Sequence, residues 1–524
     1  MTAFIDARQA DIAQLPVADL CIVGAGAAGI TLALEMAARN RSVLLVEAGA
    51  YEIEGKTQAL YVAPNTGVPY YDLAACRLRY FGGTTNHWSG FCRANDPIDY
   101  EGRPEIGLPA WPVQHDALLP YLERAATILG IQSNFFSSYD QFKAKGLDPE
   151  LLMDRHSKVL VTKNFQLAKN IRFRTLFRKD IEGNPNIHPV ENLNVVEIKL
   201  DEGGKRVDHL LATTTDGKTT QVRAKAFALC CHAIENARIL LSSDSRMPGG
   251  IGNRHDHVGR YFMEHPHVFA SRMIPSDKFP RAYDRFYLQR YGLNANLGIT
   301  EAELRKHGIM NYYCRFNPVS FRDSEQLRAA RKLPAAMMKP ATFGLFRDMA
   351  KLLSNLPGTT NSVLRQFDQE RAPLYYQLEH RIEQAPNRDS RVTIGAERDK
   401  LGQRPVTFHW ALSDLDVKTI NVGQDIIVRE LSALNMGRFE VESITMDMLK
   451  QRVLGHYHHT GTTRMSENPS DGVVDANLKV HDVDNLYVGG SSVFPTTGYS
   501  GPTMTLIALS VRLAEHLSGG LGKA

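Results

Sequence analysis

The sequence has few cysteines, and none is spaced to hold a metal ion. Only six occur among 524 residues, and no two form a Cys-x-x-Cys pair. Scattered cysteines argue against a disulfide scaffold or a zinc ribbon, and they are typical of chains in a reducing compartment. We therefore expect free thiols, no bound metal and a cytoplasmic location.

Long apolar runs and strong charge are also missing. No apolar stretch reaches the roughly 18 residues of a membrane span, and the first residues include acids but no apolar core, so we expect neither a transmembrane segment nor a signal peptide. The net charge is only +4, without a dense basic cluster, which argues against nucleic acid as a partner. The composition is that of an ordinary globular chain, long enough for two domains.

One stretch, residues 19–49, carries a strong nucleotide-binding signal. Gly24, Gly26 and Gly29 form the pattern GxGxxG after an apolar run at 20–23 that predicts a buried strand. The first glycine allows a tight turn, the second lets the backbone approach a pyrophosphate, and the third lets a helix pack against the strand.

A helix and a second strand complete this unit. Residues 27–39 are strong helix formers, and the N-terminus of such a helix directs N–H groups at phosphates. The strand predicted at 42–46 ends at Glu47, 18 residues after Gly29, where an acid binds ribose hydroxyls. The unit predicts dinucleotide binding. The acid disfavours NADP, and FAD and NAD both stay open.

A second glycine-rich loop follows. Gly82, Gly83 and Thr84 precede Asn86 and His87, and such small residues let the backbone lie flat against a planar ligand. The alternative is an ordinary loop that happens to carry a histidine. Further along, alternating residues predict strands at 194–200, 203–214 and 221–230.

Glu264, His265 and His267 raise the question of a metal site beside a predicted strand. No third ligand stands at a suitable spacing, so solvated or core-packed histidines are the favoured interpretation.

Residues 322–371 contain nine Lys or Arg and five Asp or Glu, an excess that equals the net charge. This segment is compatible with a lid, a partner surface or a membrane-facing amphipathic helix, but an ordinary surface helix pair is favoured.

The C-terminal part combines a histidine cluster with a late helix. His456, His458 and His459 precede a small-residue turn, and Gly501-Pro502 opens an apolar helix over 506–517. The helix N-terminus presents partial positive charge, which suits a ligand that becomes negatively charged on reduction.

Taken together, these motifs resemble the glucose–methanol–choline (GMC) type flavoprotein oxidoreductases over nearly the full length. The similarity is carried by DLCIVGAGAAG with Glu47, FGGTTNHW, AIENARILL, HHTGTTRM, GVVDANLKVHDVDNLYVGGSSVFP and GPTMT. Within the family, the chain is most similar to the pyranose-oxidase-like sugar oxidoreductases and their bacterial relatives.

The resemblance implies an α/β chain, α+β overall, with two domains. A discontinuous Rossmann-type FAD-binding domain would comprise residues 15–95, 190–262 and 450–520. A substrate domain built on an antiparallel sheet would comprise 96–189 and 263–449, with 322–371 as its lid. The resemblance also implies a set of FAD-binding residues: Gly24, Gly26, Ala27, Ala28, Gly29, Glu47, Ala48, Gly82, Gly83, Thr84, Asn86, His87, Val196, Gly490, Ser491, Thr503 and Met504.

The implied reaction is oxidation of a CH–OH group, plausibly of a sugar or glycoside. His458 aligns with the family's active-site histidine, which takes the hydroxyl proton while the hydride moves to flavin N5. His459 is a second catalytic candidate, although loop filler is an equally simple interpretation of His456 and His459. His87 aligns with a position where some relatives bond the flavin covalently, and otherwise it would pack near the ring.

Several questions stay open at this stage. Oxygen, a quinone or a protein could accept the electrons, and a homo-oligomer is compatible with the sequence. A non-redox lyase on the same FAD scaffold is the main alternative, followed by a flavin-carrying interaction protein.

Three departures from the family pattern bear on these alternatives. Gly501-Pro502 stands where relatives have a second active-site His or Asn, Gly489-Gly490 stands where many have an Asp, and Cys230-Cys231-His232 replaces smaller residues.

Overall fold

The computed structural model describes residues 4–132, 137–319 and 373–520. In that part of the chain the strands are β1 (Ile5–Asp6), β2 (Ala18–Val23), β3 (Val43–Val46), β4 (Phe91–Cys92), β5 (Leu160–Leu167), β6 (Ile187–Glu191), β7 (Asn194–Leu200), β8 (Val207–Thr213), β9 (Thr219–Val222), β10 (Ala224–Leu229), β11 (His267–Pro275), β12 (Leu293–Ile299), β13 (Tyr312–Val319), β14 (Tyr375–Ile382), β15 (Arg391–Ile394), β16 (Val406–His409), β17 (Gly437–Val441) and β18 (Leu486–Val488).

The α-helices of the same ranges comprise five of ten residues or more and several shorter ones. They are α1 (Ala27–Ala37), α2 (Gly55–Gln58), α3 (Leu73–Cys76), α4 (His115–Leu129), α5 (Ser138–Ala144), α6 (Phe173–Leu176), α7 (Arg178–Glu182), α8 (Ala233–Ser242), α9 (Glu301–His307), α10 (Asp414–Ala433), α11 (Met446–Arg452) and α12 (Thr503–Gly520). None of these helices combines the length and the apolar character that a membrane crossing requires.

A six-stranded parallel sheet forms the first layer of the fold. Its order is β1-β6-β3-β2-β10-β18, and every neighbouring pair is parallel. All residues of β2 and β3 are buried, as expected for strands covered on both faces. Helix α1 packs against α12, so the N-terminal and C-terminal parts of the chain share one core.

A seven-stranded antiparallel sheet forms the second large layer. Its order is β17-β11-β14-β13-β12-β5-β4, and α10 packs against β13 and β14. Parallel and antiparallel sheets therefore coexist in one chain, which confirms the predicted α/β fold with a second part built on an antiparallel sheet.

A three-stranded antiparallel sheet, β7-β8-β9, corrects one prediction. The expected single strand at 221–230 is two strands, because β9 pairs with β8 whereas β10 belongs to the parallel sheet. The chain changes sheet at Arg223, between the two strands. The proposed lid at 322–371 lies outside the described residues, and the domain boundaries stay predictions.

Candidate functional site

The predicted glycine turn lies between β2 and α1, and two of its glycines are required by close packing. Gly24 has a φ of +101°, and a Cβ on Gly29 would lie 1.9 Å from the carbonyl oxygen of Gly24. A Cβ on Gly26 would meet nothing within 4 Å. Gly24 and Gly29 therefore shape the turn, and Gly26 faces open space where a ligand can approach the helix N-terminus.

This open space is a cleft at the carboxyl ends of the parallel strands. Ten of the predicted FAD-binding residues line it: Gly24, Gly26, Ala27, Ala28, Glu47, Ala48, Gly83, Thr84, Gly490 and Ser491. These residues come from positions as far apart in the sequence as 24 and 491, and the fold brings them to one surface.

The remaining predicted residues lie beside the cleft rather than on its lining. The N–H of Gly82 donates to the carbonyl of Ala25 at 2.8 Å, and the Asn86 side chain donates to the carbonyl of Phe81 at 2.9 Å. His87 is exposed, with its ring 6.2 Å from that of Tyr457. Gly82 thus holds the second glycine loop against the first, and Asn86 stabilises the second loop internally.

At two positions the lining residue is a near neighbour of the predicted one. Val195 lines the cleft instead of Val196, and at the start of α12 the lining residue is Leu506 rather than Thr503 or Met504. A strand points successive side chains to opposite faces, so an error of one residue reverses the inferred direction.

Glu47 ends β3 with its carboxylate inside the cleft. Oε2 accepts the N–H of Ala25 at 2.9 Å, and Oε1 accepts the N–H of Gly49 at 3.0 Å. Burial raises the pKa of this carboxyl, whereas the two backbone N–H groups oppose that shift. A carboxylate has about four acceptor sites, so capacity remains for ribose hydroxyls.

A buried charged cluster in the cleft was not assigned from the sequence. Glu235 accepts from the guanidinium groups of Arg77 at 3.0 Å and Arg238 at 2.7 Å, and Arg79 lies 3.6 Å away. Burial raises the pKa of Glu235, but the three arginines outweigh that effect and lower it to about 2. The signal was present in RLRYFGG and AIENARILL, although neither motif shows that its charges meet.

The residues that line the cleft fit FAD. The open space at Gly26 and the N-terminus of α1 suit a pyrophosphate, the remaining acceptor sites of Glu47 suit a ribose, and the arginine excess of the cluster suits anionic phosphates.

The histidine loop at 456–459 is held by one buried carboxylate. Glu264 Oε1 accepts the N–H of His458 at 3.0 Å, and Oε2 accepts the N–H groups of His456 at 3.0 Å and His265 at 2.8 Å. The hydroxyl of Tyr70 also donates to Oε1. Glu264, considered above as a metal ligand, instead fixes the backbone that carries the histidines.

His458 lies against His265, with their Nδ1 atoms 3.1 Å apart. His265 is buried and His458 is partly buried, and burial lowers the pKa of His265 to about 3 and holds that of His458 well below its usual value. The neighbouring His265 and Arg381 add to the shift of His458. Both imidazoles are therefore neutral at neutral pH, and one Nδ1 must donate to the other.

The missing second side chain has a steric explanation in this structure. A Cβ on Gly501 would lie 3.3 Å from Cε1 of His458, so the backbone before α12 packs directly against the imidazole. Tyr499, two residues before Gly501, is buried, and its hydroxyl bonds Asp96 at 3.1 Å and Arg93. His265 is the side chain that contacts His458.

His459 lies on the other side of the loop, in the core. Its Nε2 is 2.7 Å from the hydroxyl of Tyr70, and its ring packs 4.6 Å from that of His232 and 5.2 Å from that of Phe262. The side chain is fully buried. These contacts place the side chain of His459 in the core, where it packs against other residues.

The structure supplies the third polar group that the spacing around His267 lacked. Glu379 of β14 lies 3.6 Å from Nε2 of His267 and 3.9 Å from Nε2 of His456, and the three side chains have ligand-type atoms within 4.8 Å of one another. However, Arg381 already binds the same carboxylate oxygen through Nε at 2.7 Å. The cluster is therefore a group of charged, hydrogen-bonded side chains, namely Glu379, Arg381, His267 and His456. Together with His265 and His458 we call it the histidine wall.

Comparison with known proteins connects the cleft and the histidine loop to one family. The family model described as FAD dependent oxidoreductase matches residues 19–244, and the one described as GMC oxidoreductase matches residues 386–510. The two matches include the glycine turn and the loop that carries His458, respectively. The chain belongs to the GMC oxidoreductase family. Its cofactor is FAD, as predicted.

Relatives of this GMC oxidoreductase span almost the whole chain. 2-Methyl-1,2-propanediol dehydrogenase of Mycolicibacterium austroafricanum is 22% identical and covers 95% of each chain. Paromamine 6'-oxidase of Streptomyces fradiae is 22% identical, over 96% of this chain and 92% of its own. A crystal structure of formate oxidase has the same fold, with a TM-score of 0.55 and 17% identity over 96% of this chain and 98% of its own.

Proposed function

We propose that this GMC oxidoreductase oxidises a CH–OH group of an alcohol or sugar, with His458 as the base that receives the hydroxyl proton. One observation carries the proposal: the imidazole of His458 is neutral, its loop is hydrogen-bonded to the cleft residue Ser491, and within the described ranges it bonds at Nδ1 only. The names of a diol dehydrogenase and an aminosugar oxidase among its relatives support this substrate class.

The contact with His265 fixes which nitrogen of His458 can act. We assign the proton of His458 to Nδ1, which donates to Nδ1 of His265, so that Nε2 keeps a lone pair for the substrate. His265 then carries its own proton on Nε2, which lies 3.4 Å from the Thr497 hydroxyl. The alcohol becomes a better hydride donor as its O–H is bound by Nε2 of His458.

The cleft residues would hold the cofactor. Gly26 and the N-terminus of α1 would bind the pyrophosphate, and Glu47 would bind ribose hydroxyls. Bound FAD supplies a two-electron acceptor for the hydride that leaves the carbinol carbon. We also keep the covalent bond through His87 as a hypothesis. Denaturing the holoprotein tests it, since a covalent flavin stays with the polypeptide and a free one is released.

The lyase alternative has no support, since the relatives described above are an oxidase and a dehydrogenase. The identity of the electron acceptor (oxygen, a quinone or a protein), a cytoplasmic location and a homo-oligomer remain predictions from the sequence.

The direct test is anaerobic mixing of the FAD-loaded enzyme with a panel of alcohols, polyols and glycosides. We expect the flavin absorbance to bleach with at least one of them, with one carbonyl product per flavin. Product formation without bleaching would contradict the proposal and favour lyase chemistry. No bleaching and no product with the whole panel would contradict alcohol oxidation.

A further inference from the structure

The antiparallel sheet has one apolar face and one polar face. On β13, Tyr312, Cys314 and Phe316 lie in the apolar core. The alternation of a strand places Arg315 and Asn317 on the opposite face. This polar face includes the wall described above, because Arg315 is paired in register with Glu379 and Tyr313 with Arg381.

The negative charge in this wall belongs to Glu379, and both of its carboxylate oxygens already accept hydrogen bonds. Glu379 Oε1 accepts from Nε of Arg381 at 2.7 Å, and Oε2 accepts from the side chain of Asn317 at 3.1 Å. Arg381 also donates to the hydroxyl of Tyr313 at 3.1 Å. Glu379 and Arg381 therefore neutralise each other within the wall.

Two further guanidinium groups face the same wall without an acid. Arg315 donates through Nε to the amide oxygen of Asn296 at 3.3 Å, and Arg285 donates to that of Asn317 at 2.9 Å. Across residues 4–132, 137–319 and 373–520, no carboxylate lies within ion-pair distance of either arginine. Burial is the main cause that lowers the pKa of Arg315 to about 10, and Arg381 and Arg285 add to it, whereas Tyr313 and Glu379 oppose it in part.

The charge of Arg315 acts on the histidine loop through His456. Arg381 depresses the pKa of His458, and Arg381 and Arg315 both depress that of His456. The ring of His456 is 5.7 Å from that of His458. A partly buried cation without a counter-ion is costly, and the planar fork of arginine matches a carboxylate.

We propose that the substrate is a hydroxylated carboxylic acid, such as a uronic acid or its glycoside, whose carboxylate binds Arg315 and Arg285 while a carbinol faces His458. This inference rests on the proposed oxidation at His458. Among the described residues, neither guanidinium group has a counter-ion when a neutral sugar is bound, whereas a sugar acid would supply one.

The test compares two substrates that differ only at C6, methyl β-D-glucuronide and methyl β-D-glucoside, in anaerobic flavin reduction. With the wild type we expect the apparent KM of the glucuronide to be roughly tenfold or more lower than that of the glucoside. Arg315→Gln should remove that difference by raising the apparent KM of the glucuronide, and Arg315→Lys should restore part of it. Arg272→Gln, at an exposed arginine of the same sheet that pairs with Glu440, is the matched control.

A binding measurement keeps this inference separate from the proposed reaction. Glutarate carries carboxylates but no hydroxyl, so its calorimetric binding to the oxidised holoenzyme needs no turnover. We expect wild type and Arg272→Gln to bind it and Arg315→Gln to bind it roughly tenfold or more weakly, with unchanged FAD content. Equal binding by all three proteins, equal KM values for both glycosides, or a tenfold preference for glucose 6-phosphate over the glucuronide would overturn the inference. If glutarate binds through Arg315 but no hydroxyl compound reduces the flavin, the anion site stands and the proposed oxidation fails.

Discussion

The FAD cleft and the histidine wall are built in opposite ways. In the cleft, glycines expose the backbone, and Gly26 leaves space that a side chain would fill. In the wall, contacts made by side chains fix the geometry. The Glu264 carboxylate holds the backbone of His265, His456 and His458 by three hydrogen bonds.

This difference separates binding from catalysis. A dinucleotide is held by many backbone groups, and the removal of one contact leaves the others in place. The proposed proton transfer depends on one nitrogen of one imidazole, whose direction is set by a single neighbour. Substitutions in the cleft should therefore change cofactor content, whereas substitutions in the wall should change rate with FAD still bound.

The largest effect is expected for His458→Ala. Loss of a general base typically costs about 10²–10⁴-fold, so flavin reduction should slow by that factor. The FAD content should equal that of the wild type, because His458 does not line the cleft. Stopped-flow absorbance gives the rate, and the spectrum of the purified protein gives the FAD content. An unchanged rate would remove His458 from the mechanism.

Two glycine variants sharpen the comparison on the cleft side. Gly29→Ala places a Cβ 1.9 Å from the Gly24 carbonyl, so α1 must move. We expect a loss of stability of about 1–3 kcal/mol or more, together with loss of FAD. The melting temperature of apoprotein and the FAD content of holoprotein measure the two effects.

Gly26→Ala is the matched variant, because its Cβ would meet no protein atom within 4 Å. Its backbone φ of −87° also accepts alanine without strain. The apoprotein should melt near the wild-type temperature, while FAD binds more weakly. An equal loss of stability in both variants would contradict the distinct roles given to Gly26 and Gly29.

A smaller effect is expected for His265, which positions His458. His265→Leu removes the acceptor for Nδ1 of His458, and we expect a decrease in the rate of flavin reduction of about 10–100-fold, by analogy with residues that orient metal-bound imidazoles. His265→Asn should recover much of the rate, because its amide oxygen can accept the same hydrogen bond. KM should change less than kcat in both variants. Equal rates for Leu and Asn would show that His265 only fills space.

The smallest expected effect is that of pH on the wild type. The base must be neutral, and burial with neighbouring charges holds the pKa of His458 well below the ordinary value of about 6.5. Protonation then begins only below that value, so the rate constant of flavin reduction should stay flat from about pH 8 to about pH 6.5. A half-maximal loss near pH 6.5 would show an unperturbed histidine.

Much of the cleft could be predicted from the sequence because its glycine turn, the following helix and the next strand lie in one continuous stretch. Gly24, Gly26 and Gly29 are fixed by local turn chemistry, and Glu47 follows directly at the end of the next strand. The strand at 221–230 was predicted wrongly, since the periodicity of 2 continues across Arg223 although the chain changes sheet there.

The wall could not be predicted in the same way. The contact of His458 with His265 joins residues 193 positions apart, and Glu379 reaches His267 only through the pairing of β11 with β14. Sequence spacing identifies the residue types, but the strand register decides which of them meet. The cluster of Arg77, Arg79 and Glu235 was missed for the same reason.

The central claim is that a C–H bond of the substrate breaks beside His458 to reduce the flavin. Anaerobic flavin reduction with a substrate deuterated at the carbinol carbon tests this claim most directly. The account predicts slower bleaching with the deuterated compound than with the protonated one, in a holoenzyme that retains His458. Identical bleaching rates, with chemistry shown to be rate-limiting, would contradict it.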